Sequence, residues 1–98
     1  MTTHHARLVF EHGFSEQDAA EAAVRGYRSH VWVELIDGTR HRVTFLDPTR
    51  AAQELDVEAR AGRPFLAEVG LILVAEVTLE NMTLAANMLA AEGFFAKP

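Results

Sequence analysis

Between His30 and Phe45 the side chains alternate in character. Val31, Val33 and Leu35 are interleaved with Trp32 and Glu34, and after Asp37-Gly38 the residues Val43 and Phe45 are interleaved with Arg40, Arg42 and Thr44. A period of two is that of a half-buried strand, and two such runs around Asp37-Gly38 predict a β-hairpin. The faces decide its register. A two-residue loop would set Arg40, Arg42 and Thr44 opposite Leu35, Val33 and Val31, driving charge into the apolar face. A type I turn over Ile36-Asp37, with Gly38 left-handed in a bulge, pairs Val31 with Val43, Val33 with His41 and Leu35 with Thr39, and the apolar faces match. In that register Trp32 lies opposite Arg42 and Glu34 opposite Arg40 on the polar side.

The spacing changes to a helical one in three other stretches. Ser15, with Asp18 three residues on and Phe14 before it, makes a capping-box start for a helix to about Arg25, ended by Gly26. Its Ala19, Ala20, Ala22, Ala23 and Val24 fall towards one side. Asp47-Pro48 starts a second helix running to about Ala61, with Pro48, Ala52, Leu55 and Ala59 as the stripe expected to be buried. Thr78 caps a third over 79–92. Val77 and Met82 are spaced as its hydrophobic staple, and Gly93-Phe94 closes it with Phe94 reaching Leu89. On this helix Leu79, Met82, Ala85, Ala86 and Leu89 form the expected core side.

Two extended runs complete the chain. Residues 6–11 hold Leu8, Val9 and Phe10 and read as a short strand in a weak or frayed 1–13 segment. Phe65 to Val77 reads as extended and broken at Gly70, with Leu71 to Ala75 apolar on both sides, which predicts cover on both faces. The resulting order is β-α-β-β-α-β-α. It suggests an α+β fold with an antiparallel sheet of 3-4 strands, helices on one face and a ferredoxin-like, split βαβ arrangement. Its fourth strand would be an edge, so cover for Leu71–Ala75 must come from the last helix, a second subunit or a different topology.

Ninety-eight residues, 49% of them hydrophobic, imply one domain, 1–98, around one core. The absence of cysteine excludes disulfides and thiolate chemistry. The N-terminal residues lack a signal-peptide pattern and no apolar run approaches a membrane span, so a cytoplasmic protein without a membrane partner is expected. Arginine in place of lysine, whose single occurrence is Lys97, points to a bacterial source.

The formal charge is −5, made up of −2 over 1–27, +1 over 28–50 and −4 over 51–98. No basic cluster of the kind that neutralises phosphates is present, so no nucleic acid is expected as a partner. Acidity, small size and lack of cysteine are shared with immunity and antitoxin proteins, which mask basic effectors.

Catalytic chemistry finds little to build on. Ser15 is a helix cap and Ser29 a strand-entry residue beside His30, so no serine nucleophile with base and orienter can be assembled. Among the five histidines His30 and His41 fall on opposite hairpin faces, and His4-His5 is a polar terminal pair; no metal is expected. The six glycines stand singly, without a phosphate-cradling loop, so no cofactor is expected either.

The surface signals are stronger. Trp32 stacked by Arg42 has hot-spot chemistry if the polar hairpin face is open, and is ordinary core if another element covers it. Leu84 and Met88, one turn apart among Glu80, Asn81, Thr83 and Asn87, form an apolar pair outside the core side of the last helix, which Phe95 could extend. The expected function is therefore an interaction or self-associating module, a homodimer or a protein partner's receptor, with Trp32, Arg42, Leu84, Met88 and Phe95 as contact residues. The alternative is a small ligand-binding or catalytic domain with a cleft site using His41 or His30.

Overall fold

A computed structural model describes residues 5–95. The elements are β1 (Ala6–Phe10), α1 (Glu16–Arg25), β2 (Tyr27–Leu35), β3 (Arg40–Leu46), α2 (Pro48–Arg60), β4 (Leu71–Leu73) and α3 (Leu79–Ala91). The strands lie in the order β1-β2-β3-β4, with β1 and β3 antiparallel to β2 and β4 parallel to β3. The α+β class is as expected, but the sheet is mixed rather than antiparallel. The cause is α2, which carries the chain back along the sheet so that β4 re-enters in the direction of β3. A split βαβ would place a strand between β1 and β2; here these two are direct antiparallel neighbours.

Local chemistry sets most boundaries. The Ser15 hydroxyl accepts from the Asp18 N–H while the Asp18 carboxylate accepts from the Ser15 N–H, and hydrogen bonding from Ser15, its backbone N–H first, holds that carboxyl below its ordinary range. At the end of α3 the Phe94 N–H donates to the Leu89 carbonyl at 2.9 Å and Gly93 to Ala90 at 3.1 Å, a Schellman stop. The hairpin has the three-residue register: Val31 pairs with Val43, Val33 with His41, Trp32 with Arg42 and Glu34 with Arg40. Gly38 sits at φ 89°, a conformation that a β-branched side chain resists.

The two faces of the sheet differ. On one, Val31, Val33, Val43 and Phe45 meet Met82 and Ala86 of α3, with Val77 and Ile72 beside them, all buried. Burying side chains of this size contributes roughly 1.5–3 kcal/mol each. Asn87 of α3 accepts the N–H groups of His5 and Ala6 at 2.7 and 3.1 Å, which pins β1 to the helix. Sequence periodicity had placed Asn87 merely among polar neighbours of the apolar pair.

The helices therefore do not share one face. Helix α2 lies toward the other, where Arg50 stacks 4.8 Å over the Tyr27 ring and also bonds Glu54 at 2.8 Å. Its expected buried stripe is reversed: Pro48, Ala52, Leu55 and Ala59 are exposed, while Arg50, Ala51, Glu54 and Glu58 are half-buried. Asp47 follows β3 directly, donates its N–H to the Gly26 carbonyl at 2.9 Å and caps the helix through the Arg50 N–H at 2.7 Å. Together with the Arg50 stack, these contacts fix the helix's rotation with its polar side inward.

Three further expectations are corrected elsewhere in the fold. Strand β4 covers only three residues, with Ile72 buried and Leu73 56% exposed, so Leu71–Ala75 is covered on one face alone. Leu79, assigned to the core side of α3, is 48% exposed, and of the α1 alanine side only Ala22 is buried, with Val24 exposed. The outcome is a flat molecule of 45 × 37 × 23 Å. Its radius of gyration is 14.1 Å, against about 12.6 Å for a typical compact chain of this length.

Candidate functional site

The open face is built from two rows running across β1, β2 and β3. In one, Arg7 pairs with Glu34 and Glu34 with Arg40; in the next, Val9 pairs with Trp32 and Trp32 with Arg42. The Glu34 carboxylate accepts from the Arg7 guanidinium and from that of Arg40 at 3.1 Å. These bonds, Arg7 first, hold its pKa below the ordinary carboxylate range. Arg42 has no carboxylate within reach among the described residues, and its guanidinium lies 5.6 Å from the Trp32 ring centre.

Trp32 and Arg42 are thus brought together as expected. Trp32 is half-buried under the guanidinium rather than under a helix. The patch carries three arginines and one glutamate, opposite in sign to the chain as a whole.

Leu84 and Met88 lie on the outer side of α3, 55% and 53% exposed. Phe95 does not extend that patch. It is only 8% exposed and belongs to the core, its ring 5.3 Å from His41 and edge-on to Phe94. The Schellman stop turns the chain under the sheet's β3 side, so Phe95 plugs the core margin and Phe94 faces solvent. The sequence signal was the Gly93 stop itself, which redirects the chain before Phe95.

No family model matches the chain, and neither does any curated protein or solved structure. The geometry alone carries the functional reading.

His41, half-buried against Phe95, lines the core margin. His30 is different. It is exposed at φ 60°, in a bulge between Arg28 and Val31, and its Nδ1 is 3.1 Å from the Ser29 hydroxyl. A hollow of about 380 Å³ beside it is lined by Glu11, His12, Asp18, Arg28 and Ser29, among others.

Arg28 lies over the stacked rings of Phe10 and Phe14, at 5.4 and 5.1 Å, and donates to the Gly13 carbonyl at 3.2 Å; its Nε is buried without a partner. Among the described residues no group of three His, Asp or Glu side chains is placed to hold a metal ion. His4, half of the terminal pair, lies outside the described residues. No described helix is long and apolar enough to cross a membrane.

Proposed function

We propose that the protein is a non-enzymatic interaction module that pairs with a second copy of itself through the outer side of α3. The observation that carries this reading is the exposure of Leu84 and Met88 on a thirteen-residue helix whose single charged side chain is Glu80. Covering such a face costs little desolvation of charge, and a like helix offers the same uncharged surface.

Sedimentation equilibrium of the wild type and of Leu84→Glu/Met88→Glu tests the pairing. The wild type should reach twice the chain mass with rising concentration, and the double variant should stay monomeric with an unchanged thermal melt. A wild type that remains monomeric, or a variant that unfolds, removes the reading.

A second reading, a small-ligand site, is favoured by His30. A non-glycine residue held left-handed beside a hollow is the type of strain found at binding sites. Fragment titrations that saturate with shifts at Ser29 and His30 would support it; shifts scattered over the surface would not.

A further inference from the structure

Strand β3 is seven residues long and β4 only three, so β4 pairs with Thr44, Phe45 and Leu46; Gly70 lies against the Arg42 carbonyl and Val43, and Arg40–Arg42 have no outer strand among the described residues. The hydrogen-bond phase says which groups face that gap. Leu35 donates its N–H to the Thr39 carbonyl at 2.8 Å, so Val33/His41 and Val31/Val43 are the pairs bonded within the hairpin and alternate residues of β3 turn their N–H and C=O outward. Thr44 and Leu46 confirm the phase, since the Thr44 N–H donates outward to Gly70 at 3.0 Å and the Leu46 carbonyl accepts from Val74 at 2.9 Å. Arg40 and Arg42 continue that row.

The gap is a notch of about 560 Å³. It is closed at one end by Gly70, where a β-carbon would run into the Arg42 carbonyl oxygen. Its two flanks differ chemically. Arg40 and Arg42 stand on the open-face side, while His41 and Phe95 stand on the other with exposed Phe94 and Val69 at the mouth. Glu68 also lines the notch, a single carboxylate against the two arginines.

We propose that this edge of β3 takes an extended peptide segment with alternating acidic and apolar side chains, added as a further strand. This goes beyond pairing through α3 and involves a separate surface. Backbone bonds to the outward N–H and C=O of Arg40 and the N–H of Arg42 supply the docking, the Arg42 carbonyl being covered by Gly70, and the alternation of a strand sends acidic residues to the arginines and apolar ones to His41, Phe94 and Phe95. A second copy is the wrong occupant. Pairing β3 with another β3 brings Arg40 and Arg42 against their own counterparts, and pairing it with β1 brings them against Arg7.

The test is a titration of the isotope-labelled full chain with a short, end-blocked peptide alternating valine and glutamate, read by backbone amide shifts and by Trp32 fluorescence. Saturable shifts at Arg40–Thr44, with a change in Trp32 emission, are expected. Arg42→Glu should weaken binding by about tenfold or more, and replacing the peptide's glutamates by lysine should abolish it. Leu84→Glu/Met88→Glu should bind as the wild type does, which separates this site from the α3 reading. Unmoved Arg40–Val43 amides, equal binding of the lysine peptide, or edge shifts that appear on concentrating the protein alone would each overturn the proposal.

Discussion

The two faces of one sheet were built by different means. The face under α3 is dry: Val31, Val33, Val43 and Phe45 are inaccessible, and Met82 and Val77 close over them. The opposite face, made by the same strands and shifted by one residue, carries Arg7, Glu34, Arg40, Arg42 and Trp32 and is roofed only at its Tyr27–Leu46 end. The covered side holds most of the apolar burial, whereas the open side holds ion pairs and a cation–π stack. Ion pairs and a cation–π stack on an open surface contribute little to folding, at most about 1 kcal/mol each for exposed examples.

The contrast can be strained from its strong side first. Phe45→Ala removes a fully buried ring beneath α3 and should cost about 3–5 kcal/mol in denaturant unfolding. A loss below about 1 kcal/mol would mean that the covered face is not the core.

A smaller effect is expected at the turn that sets both faces. Gly38→Val forces a β-branched residue to φ 89° and should lower stability by about 1–2 kcal/mol. An unchanged melting temperature would show that the hairpin closes some other way.

The smallest effect belongs to the open face. Glu34→Gln removes a carboxylate whose pKa is held down by hydrogen bonds from Arg7 and then Arg40. A depressed carboxylate stabilises the fold when ionised, so its contribution is present above the ordinary carboxylate range and is lost as pH falls through the folded value. Melts of wild type and variant should therefore differ slightly at neutral pH and converge in acid. A gap that widened in acid would reverse the assignment.

What could be read along the chain was what neighbours in sequence decide. The Ser15/Asp18 box, the Asp47-Pro48 start, the Thr78 cap and the Gly93 stop each involve groups within a few residues, and all four are formed. The hairpin register was legible too, because a single slip would have put arginines into the apolar face. From that register followed Trp32 beside Arg42. The exposure of Leu84 and Met88 was visible in the helical wheel.

Longer-range choices were not. An apolar stripe on α2 says that the helix is amphipathic, not which side will meet the sheet; the Asp47 and Arg50 anchors settled that with the stripe outward. Leu71–Ala75 could pair in either direction, and the crossover of α2 made it parallel. Phe95 looked like surface until the Gly93 turn carried it onto His41.

The sequence by itself determined where elements begin and end and which side chains share a strand face, because caps, turns and alternation are local and cost about 1 kcal/mol or more to violate. Only the tertiary structure decided strand direction, helix rotation and the open edge of β3. Those depend on contacts between residues far apart in the chain, whose competing arrangements the local pattern satisfies equally well.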